Sequence, residues 1–425
     1  MAYLSQTSLY GSVLGLDTMG RLMAELGQPH RQLPFVHVAG TNGKGSTASG
    51  IAHILQDAGY RTGLNLSPYV QDFGERVQVD GVPISHDAIA AGVTRVKAAA
   101  DTIIARGFPS PTVFELVTSL ALLYYAQQRC DIAVLEVGLG GRLDATNIID
   151  APEAAVITAI GMDHMDQLVD TISLIAAEKA GIIKPGCDVV LSNQGPEAVE
   201  TIRAIAAERG ARLHIADHTT ATLREMTAAG VTFDWEDWQG LHTALTGLHQ
   251  IQNAVTVVKT CQVLRQKGWN IPDEAIRSGL LHPNLPGRLE LLQSDPPVLA
   301  DGAHNPQGVC ALLESLPSLA AGRPIYFVMG MLGDKDHTQA AALTAEHGAG
   351  FFTITPPNAR ALPAEELAAE LRQHTTAPVC AFDDIPAALT AATEAAAEND
   401  GIVCVFGSLY QLGPVRTFFG KGAPV

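Results

Sequence analysis

Short apolar runs alternate along the chain with longer segments in which apolar residues have helical spacing. In the first two thirds, the apolar runs are residues 35–38, 61–66, 132–136, 154–160 and 189–191. The helical segments between them are residues 46–57, 86–105, 112–128, 171–183 and 196–208, and two more follow at 248–266 and 272–281. Strands that alternate with helices predict a mostly parallel sheet with helices on its faces.

Two segments depart from this alternation. Residues 76–84 alternate between apolar and polar positions and contain Asp80-Gly81, which predicts a β-hairpin. Residues 211–245 are rich in strand-forming residues, and we interpret them as a small antiparallel insert.

The alternation starts again after residues 282–288, which contain two prolines and a glycine. Predicted strands at 297–300, 325–329, 350–354, 378–381 and 401–406 alternate with helices at 306–318, 336–347, 364–373, 385–397 and 408–418. We expect two α/β domains, residues 1–284 and 285–425, the second with a Rossmann-like topology. No GxGxxG follows the first strand of the second domain, so we do not expect a dinucleotide site there.

Composition limits the possible partners and the compartment. The 425-residue chain has a net charge of −17, which argues against binding to nucleic acid or an anionic membrane. The six cysteines have no CxxC spacing, no signal peptide is apparent, and no apolar run reaches the roughly 20 residues of a membrane helix. We therefore expect a cytoplasmic protein with reduced thiols, and we expect it to be a monomer.

The most informative stretch is residues 37–46, with the sequence HVAGTNGKGS, which joins the first apolar run to the first helical segment. A glycine-rich turn before a helix directs backbone N–H groups at one point, and Lys44 adds a positive charge there, as phosphate binding requires. The spacing is not that of the Walker motif, because Val38 stands at the first glycine position and Gly45 separates Lys44 from Ser46. The alternative interpretation is a structural turn after a buried strand.

Four predicted strands end in polar residues, which the topology of a parallel sheet brings to one edge. These residues are Lys44, Ser67, Glu136 and His164. Their oxygen and nitrogen atoms would suit a hard cation that bridges ATP phosphates, whereas zinc would need more His or Cys ligands. Each residue taken alone has a structural interpretation, and Asp163 is an alternative ligand to His164.

Two further segments carry candidate chemistry. The Gly-rich residues 138–147 contain Arg142 and Asp144, which form either a structural loop or a clamp for an anionic substrate with a ring N–H. Residues 301–306, DGAHNP, place an acid and a histidine before a helix, either as caps or facing the first domain across a cleft.

A set of motifs that spans nearly the whole chain resembles one enzyme family. The motifs are HVAGTNGKGS (37–46), Ser67-Pro68, ERVQVDG (75–81), EVGLGGRLDATN (136–147), ITAIGMDH (157–164), EKAGIIKPG (178–186), Gln252-Asn253-Ala254, LPGRLE (285–290), DGAHNP (301–306) and GMLGDKD (330–336). Together they resemble the folylpolyglutamate synthase and dihydrofolate synthase family, which is related to the Mur ligases. GGRLDATN and EKAGI are more specific to this family than the glycine-rich loop.

The resemblance implies a P-loop-type ATPase domain, a Rossmann-like domain and a ligation that proceeds through an acyl phosphate. It implies ATP contacts at Gly40, Thr41, Asn42, Gly43, Lys44, Gly45, Ser46, Asn253, Arg288 and Asp301. It implies two Mg²⁺ ions held by Ser67, Glu136, His164 and Lys179, the last as a carbamate. Lys44, His164, Lys179, Asp301 and His304 are the implied catalytic residues, with His304 near the glutamate or phosphate, and catalysis would require domain closure.

The resemblance also implies small-molecule substrates: ATP, L-glutamate, dihydropteroate and reduced folates. The implied pteroate contacts are Gly15, Leu16, Asp17, Thr112, Val113, Phe114, Glu115, Arg142, Leu143 and Asp144. We therefore expect both synthase activities. The alternatives are folylpolyglutamate synthesis alone, a Mur-type amino-acid ligase, and a nucleotide-dependent binding protein without turnover. One departure is Tyr69, where the family usually has histidine, and we expect it to alter rate or pH profile.

Overall fold

Two parallel-rich sheets organise the chain in the computed structural model, which describes residues 15–162, 171–282 and 285–422. The first sheet has the order β4-β3-β2-β5-β1-β6-β7-β8. Its strands are β1 (Phe35–Ala39), β2 (Thr62–Asn65), β3 (Val77–Val79), β4 (Val82–Pro83), β5 (Ile132–Glu136), β6 (Ala154–Ile157), β7 (Asp188–Ser192) and β8 (Arg212–Ala216). In the spatial order β2-β5-β1-β6-β7-β8, every neighbouring pair of strands is parallel. The carboxyl ends of these six strands therefore lie at one edge of the sheet.

Helices cover both faces of this sheet. They are α1 (Asp17–Glu25), α2 (Lys44–Asp57), α3 (His86–Ala105), α4 (Val113–Gln128), α5 (Ile172–Lys179), α6 (Pro196–Glu208), α7 (His249–Gln266) and α8 (Asp273–Gly279). All five residues of β1 are buried, with Val36 and Val38 packed towards α2 and α7 and Phe35 packed towards α4. Burial on both faces explains why the central strands are continuous apolar runs rather than alternating ones.

The predicted hairpin is confirmed, because β3 and β4 pair antiparallel around Asp80-Gly81. The predicted insert at 211–245 is only partly right. Its first strand, β8, pairs parallel with β7 and extends the main sheet. The antiparallel insert is the three-stranded sheet β9 (Thr222–Thr227), β10 (Gly230–Trp235) and β11 (Trp238–Thr243), and its apolar side chains pack on α7.

The second sheet has the order β12-β13-β17-β14-β15-β16. Its strands are β12 (Glu290–Ser294), β13 (Pro297–Ala300), β14 (Ile325–Met329), β15 (Gly350–Thr353), β16 (Val379–Ala381) and β17 (Ile402–Phe406). Its helices are α9 (Pro306–Ala320), α10 (His337–Ala345), α11 (Ala364–Leu371), α12 (Ile385–Glu398) and α13 (Leu409–Phe418), and they lie on both faces. The alternating strands and helices expected here are confirmed, but the edge strand β12, antiparallel to β13, was missed.

Four of the six cysteine thiols are buried, and none of the six is paired. Within the three described ranges, no helix combines the length and apolar character that crossing a membrane requires.

Candidate active site

The loop between β1 and α2 has room only for glycine at two positions. Gly43 has a φ of +83°, and a Cβ there would lie 2.2 Å from Asn253 Oδ1. Gly40 has a φ of +155°, and a Cβ there would lie 1.8 Å from Thr158 Oγ1. The loop is thus wedged between α7 and the end of β6, which fixes its backbone at the start of α2.

Lys44 is the first residue of α2, and its side chain folds back across the loop. Its Nζ donates to the carbonyl oxygens of Gly40 at 3.1 Å and Thr41 at 3.0 Å. A full positive charge therefore lies over a helix N-terminus, whose N–H groups carry partial positive charge. The combination favours a polyanion such as a nucleotide phosphate chain.

Glu136 ends β5, is 5% exposed, and reaches the same edge as Lys44. Its Oε2 accepts a hydrogen bond from the Ser67 backbone N–H at 2.8 Å. Burial raises the pKa of this carboxyl group, although Lys44, the hydrogen bond from Ser67, Arg288 and Arg76 all act in the opposite direction. The group is a desolvated carboxylate among cations, as in many ligand-binding sites.

Lys179 ends α5, is 5% exposed, and donates from Nζ to the carbonyl oxygen of Gly40 at 2.9 Å. The glycine-rich loop 138–147 is fitted closely to this helix end. A Cβ at Gly141 would lie 2.8 Å from the carbonyl oxygen of Glu178, and a Cβ at Gly181 would lie 2.4 Å from Arg142 Cα. The motifs GGRLDATN and EKAGI are therefore packed directly against each other.

Asp144 is buried, and its carboxylate organises this loop. Its oxygens accept from the backbone N–H groups of Gly138, Leu139 and Thr146 at 3.0, 2.8 and 2.9 Å, and from the Thr146 hydroxyl at 2.5 Å. Desolvation raises its pKa against these hydrogen bonds. Arg142 instead points outward and forms a 3.1 Å ion pair with Glu178.

The second half of the chain contributes Arg288, Asp301 and His304. Both Asp301 oxygens accept backbone N–H groups, from Leu289 at 2.9 Å and from Ala303 at 2.7 Å. Leu289 has a φ of +48°, so this carboxylate holds the backbone after Arg288 in a sparsely populated conformation. His304 Nδ1 is 2.8 Å from the carbonyl oxygen of Gly302.

A cavity of about 260 Å³ lies between the two halves of the chain, which are the described residues up to 282 and those from 285 onwards. Its lining includes every residue from Gly40 to Ser46, together with Ser67, Glu136, Lys179, Asn253, Arg288, Asp301 and His304. The expected ATP contacts thus come together at one place. His164, the remaining predicted metal ligand, and Asp163 lie outside the described residues.

A second cavity of about 370 Å³ adjoins the first. Of the predicted substrate contacts, Gly15, Thr112, Phe114, Glu115, Leu143 and Asp144 line it, whereas Leu16, Asp17, Val113 and Arg142 do not. Thr112 and Glu115 form a capping box at the start of α4, so Glu115 holds the helix end as well as facing the cavity. Tyr69 lines neither cavity; its ring packs edge-to-face on Phe73 with 6.0 Å between centroids.

Sequence reasoning missed three cationic residues in the second cavity, namely Arg76, Lys335 and Arg360. Arg76 lies in the motif ERVQVDG and Lys335 in the motif GMLGDKD. Their positive charges could therefore be noticed in the sequence, but nothing in the sequence placed them at a site. Desolvation lowers the pKa of Arg76, with Tyr69, Tyr410 and Glu136 acting against it. The cavity therefore combines an apolar wall from Phe114 with positive charge, which suits an aromatic molecule that carries carboxylates.

The donor set fits a hard divalent cation only in part. Glu136 supplies a buried carboxylate and Ser67 a hydroxyl in the lining of the first cavity. Among the described residues, which omit 163–170, no group of three His, Cys, Asp or Glu side chains could hold a metal ion. A cation there would therefore need oxygen atoms from its phosphate partner or from water, as Mg²⁺ usually takes.

Comparison with known proteins defines the class first. The profile of the Mur ligase middle domain matches residues 86–261, and that of the Mur ligase glutamate ligase domain matches residues 287–409. The chain therefore belongs to the class of ligases that share these two Mur ligase domains. The match to the second profile covers the Rossmann-like half.

Similarity over the full length defines the family. The dihydrofolate synthase/folylpolyglutamate synthase of Bacillus subtilis strain 168 is 38% identical over 417 residues, with 96% of this chain and 95% of the relative covered. Two solved structures also match: Escherichia coli FolC in complex with DHPP and ADP (32% identical, 99% and 97% covered, TM-score 0.86), and a bifunctional folylpolyglutamate synthase/dihydrofolate synthase with Mn, AMPPNP and L-glutamate bound (31%, 98% and 97%, TM-score 0.83). The chain belongs to the dihydrofolate synthase/folylpolyglutamate synthase family.

Proposed function

We propose that this chain joins L-glutamate to dihydropteroate, forming dihydrofolate, and to reduced folates, forming folylpolyglutamates. One observation carries the proposal most directly. The first cavity, which we assign to the nucleotide and call the nucleotide cavity, shares part of its lining with the second cavity. The shared residues are Ser67, Pro68, Gly138, Leu139, His304 and Leu409. An acceptor carboxylate at this junction would face the end of a phosphate chain that starts at the glycine-rich loop. Such proximity is the main source of catalysis in phosphoryl transfer.

The loop from Gly40 to Ser46 would bind the ATP phosphates through its backbone N–H groups, and Lys44 would neutralise their charge. Asn253 would contact the nucleotide from α7, while Arg288 and Asp301 would contact it from the second half. Because these last two residues follow the predicted boundary at 284/285, we propose that residues 1–284 and 285–425 are two domains whose closure completes the site.

Two Mg²⁺ ions would be held by Ser67, Glu136, His164 and a carbamate on Lys179. Bound there, they would supply positive charge that stabilises the negative charge developing during transfer. Two features support this assignment: Glu136 is a buried carboxylate, and Lys179 Nζ lies 2.9 Å from the carbonyl oxygen of Gly40, on the wall of the nucleotide cavity. A carbamate would turn a buried cation into an anionic oxygen ligand at that wall.

The reaction proceeds in two balanced steps. An acceptor carboxylate oxygen attacks the γ-phosphorus of ATP, which forms an acyl phosphate and releases ADP. The glutamate nitrogen then attacks the acyl carbon, inorganic phosphate leaves, and the amine loses one proton. His304 stands at the junction of the two cavities, where it would contact the incoming glutamate or the departing phosphate.

The second cavity would hold the pteroate or folate. Phe114 would contact the rings, and the remaining lining residues from Gly15, Thr112, Glu115 and Leu143 would shape the pocket. Arg76 and Lys335 would bind glutamate carboxylates, Arg76 through the two parallel hydrogen bonds that a guanidinium group can give. Arg360, which pairs with Asp334, would add positive charge to the same wall. Asp144 would position the loop rather than bind a ring N–H, because its oxygens already accept four hydrogen bonds within the loop.

We also propose that the protein is a cytoplasmic monomer. The six unpaired cysteines support a reducing compartment.

The test is glutamate-dependent ADP release in the presence of magnesium with dihydropteroate or with tetrahydrofolate as acceptor. We expect turnover with both, and none from a Lys44→Ala variant. Turnover with tetrahydrofolate alone would reduce the function to folylpolyglutamate synthesis. Absence of turnover with either acceptor, in a protein that binds ATP, would contradict the proposal and favour the Mur-type ligase or binding-protein alternatives.

A further inference from the structure

One contact between the two halves of the chain has no place in the mechanism above. It joins Asn42 to Asn305 and Gln307 at the start of α9. Asn42 lies in the loop from Gly40 to Ser46, called the nucleotide loop below. We propose that Asn42 is a positioning residue, which docks the second half onto the nucleotide loop through this carboxamide cluster. The proposal rests on the proposed roles of Asp301 and His304, which the cluster would hold against the phosphates.

The backbone of Asn42 is fixed to the end of β6, so its side chain is presented to the second half. Its N–H donates to the carbonyl oxygen of Ala159 at 3.2 Å, and its own carbonyl accepts from Thr158 Oγ1 at 2.7 Å. Beside it, Thr41 Oγ1 donates to the carbonyl oxygen of Gly161 at 3.0 Å. The side chain of Asn42 thus leaves a rigid base formed by two segments of the first half.

The contact itself is a set of paired carboxamides. Asn42 Nδ2 donates to Gln307 Oε1 at 2.8 Å and to Asn305 Oδ1 at 3.2 Å, and Asn42 Oδ1 accepts from Asn305 Nδ2 at 3.1 Å. Both polar atoms of Asn42 are therefore used across the two halves. This use differs from a nucleotide contact, for which one of these atoms would have to be released.

The partners on the second half are also fixed in place. Asn305 is 2% exposed and caps α9, since its Oδ1 accepts from the Gly308 N–H at 2.8 Å. Gln307 also reaches the first half directly, because a Cβ at Gly161 would lie 2.2 Å from its Oε1. Asn305 directly follows His304 and lies four residues after Asp301, so displacement of the cluster would displace both.

The chemistry suits a reversible dock. The groups are neutral, so the contact does not compete with the phosphate charge for Lys44 or the metal site. A single hydrogen bond between neutral groups contributes a small net amount, equivalent to about a two- to tenfold change in an equilibrium. Three such bonds bias the chain towards the closed state without locking it there.

The experiment is a double-mutant cycle with Asn42→Ala, Gln307→Ala and the double variant, with Gln262→Ala as a control. Gln262 lies on α7 and bonds to Glu236, away from both cavities. Asn305 is left intact because it also caps a helix. The readouts are kcat for ADP release, the Kd for ADP, and amide hydrogen exchange across residues 302–308 in the ADP complex.

We expect Gln307→Ala to lower kcat about two- to tenfold and Asn42→Ala to lower it further, because Gln307 takes part in one of the three bonds and Asn42 in all three. The double variant should be close to Asn42→Ala alone, well short of the product of the two single effects. The Kd for ADP should stay within about twofold, and exchange at 302–308 should accelerate in all three variants, by similar factors in Asn42→Ala and in the double variant. The Gln262→Ala control should change none of these. Multiplicative effects on kcat or exchange would overturn the proposal.

A second outcome that would overturn it is weaker ADP binding in Asn42→Ala with unchanged kcat and unchanged exchange, which would make Asn42 a nucleotide contact. Failure of the proposed function is distinguishable, because wild-type protein would then release no ADP with either folate acceptor. The exchange cycle would still test the dock in that case, since it needs only bound ADP.

Discussion

Replacing Glu136 by glutamine should stabilise the protein while it impairs metal-dependent activity. The substitution keeps an oxygen that can accept from the Ser67 N–H, now 2.8 Å from Oε2, and removes the buried charge. Burying a carboxylate costs several kcal/mol, and a hydrogen bond to a charged group returns about 1.5–3 kcal/mol. The pKa of Glu136 remains raised despite Lys44, Arg288 and Arg76, so the cost exceeds the compensation.

We therefore expect the free energy of unfolding of Glu136→Gln to exceed that of wild type by about 1–2 kcal/mol at pH 7 in the presence of a chelator. The variant is expected to be the more stable protein because protonation of Glu136 is coupled to folding. A carboxyl group whose pKa is higher in the folded state than its ordinary 4.5 destabilises the fold as pH rises through and above 4.5. The advantage of the variant should thus vanish at pH values below about 4.5.

Denaturant unfolding at several pH values, with chelator, measures this difference directly. The companion assay is a magnesium titration of ADP release, in which the variant should need far more magnesium or fail to turn over. A variant that is less stable than wild type at pH 7 would refute the desolvation argument. An unchanged magnesium titration would refute the assignment of Glu136 as a metal ligand.

Three further predictions concern the same site. Gly43→Ala should weaken ATP binding by at least about tenfold in a titration, because its Cβ would meet Asn253 Oδ1 at 2.2 Å; Gly59→Ala has a similar positive φ with no neighbour within 4 Å, and equal losses in both would reduce the effect to backbone strain. Lys179→Ala should abolish ligation, and added bicarbonate should not restore it; wild-type-like turnover would exclude a carbamate role. Arg76→Ala should raise KM for the folate acceptor about tenfold, as loss of a charged hydrogen bond implies, and leave KM for ATP unchanged; the reverse pattern would move Arg76 to the nucleotide site.

Much of the fold could be predicted from the local pattern of apolar and polar residues. Buried parallel strands are short, continuous apolar runs, which are easily recognised in the sequence. The helix predicted at 86–105 and the strand predicted at 132–136 have the same bounds in the structure. The edge strand Glu290–Ser294 was missed because it mixes polar and apolar residues and lies at the sheet edge. The strand Arg212–Ala216 was misplaced because its partner is set by tertiary packing.

The site could be predicted where chemistry and position coincide in one motif. Lys44 begins α2 and Glu136 ends β5, and both lie at the carboxyl edge of one sheet. The topology of the sheet alone therefore brings them together. Arg360 was invisible, because it reaches the second cavity only through the folding of the other half of the chain. Asn42 was visible as a loop residue, but its pairing with Gln307 depends on how the two halves meet.

The central claim is that ATP activates an acceptor carboxylate as an acyl phosphate before glutamate attacks. The most direct test uses dihydropteroate or a reduced folate whose acceptor carboxylate carries oxygen-18, with ATP, magnesium and L-glutamate. The mechanism predicts that each turnover transfers one labelled oxygen into inorganic phosphate while glutamylated product accumulates. Glutamylated product together with unlabelled phosphate would contradict it.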